Sequence, residues 1–284
     1  MDSKKVLVTG GGGFVGTNLI KRLLNDGHQV VSVDNYSTGF KENRQEGCTY
    51  ITLDITEKFH NWKEKFDVIF HMAALPRIGP SFKNPVESIE VNVQGTANVL
   101  EYARLTETPV VYAGSSSFWG GVYKNPYTFT KWQGEELCKM YETIYGLPVT
   151  ICRFYNVYGD YMPTEGSYRT VLPIFLEQYK NNEKLTITSD GEQRRDFTHV
   201  DDIVDAMMRV VQLNKWGNVF ELGKGKNYSI NEVADMFGGE RVYIDEIPGE
   251  VRDTLCKSEL ARKKLKWEPK IDLEQWLREE LSKI

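Results

Sequence analysis

A chain of 284 residues, 40% hydrophobic and 26% charged, has enough apolar material for one large core or two modest ones. Its formal net charge of −5 argues against nucleic acid or an anionic membrane as the main partner. No apolar run approaches the roughly 18 residues that cross a bilayer, and "MDSKKVLVTGGGG" reads as a strand, not a signal peptide. Cys48, Cys138, Cys152 and Cys256 form no C-x-x-C pair, so a zinc site is not expected and reduced, cytoplasmic thiols are.

In chain order, apolar and β-branched runs at 5–9, 29–34, 48–54, 67–73, 109–115 and 149–154 predict strands buried on both faces. Amphipathic stretches at 14–27, 86–105 and 127–146 predict the helices between them; Gly146 supplies a C-terminal stop. Strand–helix alternation over about 150 residues means a doubly wound parallel α/β sheet. After "YNVYGDYM" the loops lengthen, and shorter helical patterns follow at about 168–181, 200–214, 229–237 and 258–265. This predicts a Rossmann-like domain over 1–160 and a smaller mixed α/β domain over 161–284. Returning segments would make that boundary discontinuous.

"VLVTGGGGFVG" places Gly10, Gly13 and Gly16 between the first strand and the first helix, and Gly11, Gly13 and Gly16 also satisfy G-x-G-x-x-G. Glycines there allow a tight turn and close backbone approach to a pyrophosphate, at which the helix aims its free N–H groups. Asp34 ends the second strand, where a carboxylate accepts ribose hydroxyls and repels a 2′-phosphate. Asn35 and Tyr36 follow it and supply no arginine for such a phosphate, so NAD is favoured over NADP. Asp54 ends the third predicted strand, either as an adenine contact or as a helix N-cap.

These residues resemble the extended short-chain dehydrogenase/reductases, specifically the NAD-dependent nucleotide-sugar epimerases and dehydratases. The likeness runs through "TGGGGFVG", "DNYSTG", "LDIT", "HMAALPRIGPSF", "NVQGT", "SSSFWG", "YTFTK", "CRFYNVYG", "SDGEQRRDFTHVDDIVDA" and "PGEVRDT". It implies a phosphate loop of Gly10, Gly13, Phe14, Val15 and Gly16, ribose contacts from Asp34 and Asn35, and adenine contacts from Asp54 and Ile55. Ala73, Ala74 and Asn92 are implied beside the cofactor, Asn92 having a helix-face position as its alternative. Tyr127 is implied as the base and Lys131, one helical turn on, as the charge that lowers its pKa from near 10. Ser115 would hydrogen-bond the reacting oxygen, with Ser117 as its substitute. Asn156, Leu172, Arg195 and Arg252 would hold the nucleotide diphosphate, arginine through its two-point fork.

A 4,6-dehydratase of this family carries Asp-Glu directly after its active-site threonine; Ser116 and Ser117 stand there instead. What remains is reversible oxidation and return of hydride to the opposite face: epimerisation, most simply at C4 of a UDP-hexose. A GDP- or dTDP-sugar enzyme, a dehydratase with unusual acids, and a non-catalytic NAD-binding protein are the alternatives. Two departures stand out. The segment between Gly120 and Tyr127 is short, which removes a loop that walls the sugar pocket and implies a more open site. Ile247 stands where many UDP-sugar 4-epimerases have arginine. The resemblance also implies a homodimer built on helices at about 85–106 and 127–146.

Overall fold

The computed structural model describes residues 2–57, 59, 62–246 and 249–284, so the expectation concerning Ile247 lies outside the described residues. Each of the six predicted runs contains a strand: β1 (Lys5–Thr9), β2 (Gln29–Asp34), β3 (Thr49–Thr52), β4 (Val68–His71), β5 (Val110–Ser115) and β6 (Val149–Phe154). Then come β7 (Asn156–Tyr158), β8 (Leu185–Thr188), β9 (Arg194–His199), β10 (Asn218–Leu222), β11 (Asn227–Ser229) and β12 (Arg241–Ile244). The helices are α1 (Phe14–Asn25), α2 (Ile78–Lys83), α3 (Pro85–Ile89), α4 (Thr96–Thr106), α5 (Pro126–Tyr145), α6 (Val171–Lys180), α7 (Val200–Gln212), α8 (Ile230–Phe237), α9 (Leu260–Leu265) and α10 (Leu273–Leu281).

The main sheet has the order β10-β6-β5-β4-β1-β2-β3, with every pair parallel. Strand order reverses between β1 and β4, the place where an open α/β sheet leaves a crevice at its carboxyl edge. One face packs Leu19, Ile20 and Leu23 of α1 with Ile203 and Met207 of α7. The other packs Val99, Leu100 and Tyr102 of α4 with Tyr141 of α5. Each such side chain contributes about 1.5–3 kcal/mol on burial. Both α7 and β10 come from the half expected to form the second domain, yet they cover and extend the first sheet.

α9 also returns to the main sheet, placing Ala261 and Leu265 in the core with α7, while α6, α8 and α10 form a smaller body with a core of Phe175, Phe197, Phe237 and Trp276 and two short sheets, β11-β9-β7 and β12-β8. The single helical pattern predicted over 86–105 is α3 and α4 joined by one wide π-turn at Glu90–Gly95. Such turns insert one extra residue and re-aim a side chain. Here the side chain is that of Asn92.

Candidate active site

A cleft of about 590 Å³ runs along the carboxyl edge of the main sheet and under the smaller body. At one end β1 turns into α1 through glycines. Gly10 has φ +72, and a Cβ on it would lie 2.7 Å from the Ala73 backbone nitrogen. A Cβ on Gly16 would lie 2.1 Å from the Gly10 carbonyl oxygen, so neither position admits a side chain. The resulting hollow, at the N-terminus of a twelve-residue helix, fits a pyrophosphate. The carboxylate of Asp34 is locked at the end of β2 by the N–H groups of Gly12 (2.8 Å) and Tyr36 (2.7 Å), and it still lines the cleft. Asn35 donates to Asp54 at 2.8 Å, and Asp54 also accepts the N–H and hydroxyl of Thr56. Burial alone would raise the Asp54 pKa; these hydrogen bonds hold it below the usual carboxylate value. Phe14, Val15, Ile55, Ala73 and Ala74 complete this end. This donor set and the forced absence of side chains fit a dinucleotide.

In the middle of the cleft, Ser115 ends β5 while Tyr127 and Lys131 project from the first two turns of α5. Asn125 caps that helix by accepting the Thr128 N–H at 2.8 Å, and Pro126 supplies the preset φ of its first residue. The Tyr127 hydroxyl donates to Ser115 Oγ at 3.3 Å, and Ser115 Oγ donates onward to Ser117 Oγ at 2.9 Å. The ammonium of Lys131, 5% exposed, sits 4.4 Å above the Tyr112 ring. Burial lowers its pKa to about 8, against the opposing pull of Glu135. Burial raises the pKa of Tyr127, against the Ser115 hydrogen bond and the positive charge of Arg77. Lys131 therefore loses its proton before the phenol does. The positive charge acting on Tyr127 is that of Arg77, which the sequence reading did not single out; the buried Glu135 carboxylate acts against it.

All candidate residues line this cleft except Asn92 and Arg252. Asn92 is fully buried one layer behind it: its side chain accepts the Leu75 N–H (2.8 Å) and donates to the Leu75 carbonyl (3.1 Å) and to Thr130 (3.0 Å). It fixes the strand-end loop rather than facing the cleft, because the π-turn points it there. Arg252 is exposed and makes two 2.7 Å hydrogen bonds to Asp190 outside the cleft lining. Arg195 does line the cleft, paired with Glu250 at 2.6 Å, beside Asn156, which donates to Thr254 at 3.1 Å.

Ser115 is followed by a tight turn at Ser116–Gly120, from which the short segment leads to Tyr127. Phe118 lies 4.0 Å over the Arg153 guanidinium, and the Trp119 indole donates to Glu221 at 2.8 Å. Arg153 is itself buried against Glu135 at 2.7 Å. Where the expectation was a more open site, Gly249, Glu250 and Val251 pack against this part of the cleft. Asn125 donates to the Gly249 carbonyl at 3.3 Å, a Cβ on Gly120 would lie 2.4 Å from Val251, and Glu250 and Val251 line the cleft.

A parallel sheet with a glycine turn, an acidic second-strand end and a Ser–Tyr–Lys constellation on the next strand and helix defines a dinucleotide-dependent enzyme acting on a hydroxyl-bearing substrate. The chain belongs to the NAD dependent epimerase/dehydratase family, whose model matches residues 6–223. It is 32% identical over 298 residues to a Methanocaldococcus jannaschii protein provisionally named a UDP-glucose 4-epimerase, covering 96% of each chain. It is 31% identical to UDP-glucuronic acid decarboxylase 1 of Xenopus tropicalis, across 97% of this chain and 71% of that one. Among solved structures, the Bacillus cereus UDP-glucuronic acid 4-epimerase, in complex with UDP-glucuronic acid and NAD, superposes with a TM-score of 0.89. It shares 25% identity over 98% of both chains. The cofactor of the family is NAD. None of the helices among the described residues is long and apolar enough to cross a membrane.

Proposed function

We propose that this chain epimerises C4 of a nucleotide-diphosphate sugar, with a UDP-hexose as substrate. The observation that carries the proposal is the Tyr127–Ser115 hydrogen bond at the cleft's centre, with Ser116 and Ser117 where elimination of water needs an acid and a base. Likeness to relatives named as 4-epimerases supports it.

In this reading Gly10, Gly13 and Gly16 with the start of α1 hold the pyrophosphate of NAD, and Asp34 holds the adenosine ribose. Lys131 aims its remaining N–H groups at the second ribose. NAD held there would supply the hydride chemistry, by which the sugar carbon is oxidised and then reduced from its other face. As its phenolate, which Arg77 and the positive charge of a bound oxidised nicotinamide would favour against burial, Tyr127 takes the proton of the C4 hydroxyl and later gives it back. Ser115 donates to the oxygen as it becomes a carbonyl, then follows it as the keto sugar turns over in the cleft. Asn156, Leu172 and Arg195 hold the nucleotide, and Arg252 joins them by leaving Asp190. The cofactor is thus assigned to 1–160 with the returning α7 and β10, and the nucleotide sugar to the rest of 161–284.

Assembly belongs to the same proposal: Val86, Ile89, Met140, Ile144 and Tyr145 are exposed on α3 and α5, the helices expected to pair in a homodimer. All four cysteines are free thiols, which fits a cytoplasmic setting. The test is NMR of the anomeric protons over a panel of UDP-, GDP- and dTDP-sugars. A new C4 epimer supports the proposal. A 4-keto-6-deoxy sugar, a pentose product, or NAD binding without turnover rejects it.

A further inference from the structure

Arg77 is the cation that the epimerase reading leaves unused, and its surroundings are unusual. It follows Pro76 at the entry to α2 with φ +94, a conformation that a side chain of this size adopts only under constraint from its neighbours. Nε donates to the Tyr168 carbonyl at 2.8 Å, which ties the strand-end loop to the opposite wall of the cleft. Burial lowers its pKa, and the only charge-bearing group among the described residues acting on it is Tyr127. It has no carboxylate partner there. The other arginines of the cleft wall are matched: Arg169 with Glu177, Arg195 with Glu250.

The carboxylates are distributed accordingly. Among the described residues lining the cleft they are Asp34 and Asp54 at the adenosine end, and Glu250, already held by Arg195. Beside Tyr127 the described lining has no carboxylate, the nearest charge of that sign being Glu135 behind the wall; it has Arg77, Lys131 and the hydroxyls of Ser115, Ser116 and Ser117. A half-buried guanidinium without a counter-ion is only partly hydrated, and a bound anion supplies the missing charge through two parallel hydrogen bonds.

Resting on the epimerase reading, we propose that the sugar this cleft accepts is a hexuronic acid, its C6 carboxylate paired with Arg77 beside the reacting C4. The chemistry gives the pairing a second use. Oxidation at C4 makes a β-keto acid. Loss of carbon dioxide from it breaks C5–C6 and sends the electron pair toward the C4 oxygen. A carboxylate held by Arg77 keeps its charge and its orientation, which opposes that cleavage while the hydride is returned.

The test compares UDP-glucuronic acid with UDP-glucose, using the protein with its bound NAD, wild type and Arg77→Gln. The wild type is expected to favour the acidic sugar at least tenfold in kcat/KM. In Arg77→Gln the acidic-to-neutral ratio is expected to fall about 100-fold, the scale of one charge-assisted pair. Any effect of Arg77 on Tyr127 or on the fold acts on both sugars and cancels in that ratio. A wild type that prefers UDP-glucose, or a ratio unchanged in the variant, overturns the inference and leaves the epimerase proposal standing. If neither sugar turns over, calorimetric binding decides: tighter wild-type binding of UDP-glucuronic acid, lost in Arg77→Gln and partly restored in Arg77→Lys, supports it. Equal binding of the two sugars overturns it.

Discussion

Replacing Lys131 with methionine should stabilise the protein while removing its activity. The lysine is buried, and its pKa falls from the ordinary 10.5 to about 8. Keeping the ammonium charged inside the fold therefore costs about 3 kcal/mol at neutral pH. Losing its contact with the Tyr112 ring takes back about 1 kcal/mol, and methionine matches the lysine stem in volume. The net gain is about 2 kcal/mol, or a rise in Tm of about 5 °C for a chain of this size. The pH dependence has a definite sign. Below pH 8 both folded and unfolded chains carry the proton, and the penalty is complete. Between pH 8 and 10.5 only the unfolded chain holds it, so wild-type stability rises relative to the variant. Above 10.5 the difference vanishes. Urea denaturation of both proteins without dinucleotide, at pH 7 and again near pH 10.5, measures this directly, with turnover assayed in parallel. A variant less stable than wild type at pH 7, or an advantage that does not shrink with rising pH, would refute the reasoning.

Tyr127→Phe should abolish turnover and leave NAD binding intact, checked by fluorescence titration; retained activity would show that the base is elsewhere. Gly16→Ala places a Cβ 2.1 Å from the Gly10 carbonyl, whereas Gly13→Ala meets that oxygen at 3.3 Å. The first should weaken NAD binding by about 100-fold and the second far less, an ordering that titration of both variants can reverse. Asn92→Ala strands the Leu75 N–H and carbonyl in the core, and should lower stability by about 2–4 kcal/mol in a denaturant melt.

What was legible in the sequence follows from the physics of each element. The first six strands are continuous apolar runs because helices cover both faces of the sheet, and their observed bounds fall within two residues of the predicted ones. β10 was missed because "NVFEL" is a short run broken by a glutamate in a region of scattered short strands; its partner β6 lies 68 residues earlier (Asn218 pairs with Thr150). α2 has a proline and a glycine in six residues, and α10 has four charged residues in nine, so neither carried a strong helical pattern. The glycine turn, Asp34 and the Tyr127–Lys131 pair could be read because their spacing is set by local geometry. Arg77 has no such spacing. Its importance arises from the absence of a counter-ion, which is a property of three-dimensional neighbours. Asn92 was placed in the right neighbourhood, but a one-residue π-turn decides which way it points.

The late arrival of β10 has a consequence for synthesis. When residue 160 leaves the ribosome, six strands of the main sheet exist, but β6 is an open edge until Asn218–Leu222 is made. The face that α7 will cover also presents Val6, Val8 and Phe70 without their partner. At ordinary elongation rates of about 5–20 residues per second, that edge and face stay uncovered for roughly 3–12 s. An apolar edge strand left open that long is a template for pairing with another nascent chain. The yield of this protein in a cell should therefore depend on how fast residues 160–222 are translated, and on chaperone capacity during that interval, more than on the stability of the finished fold.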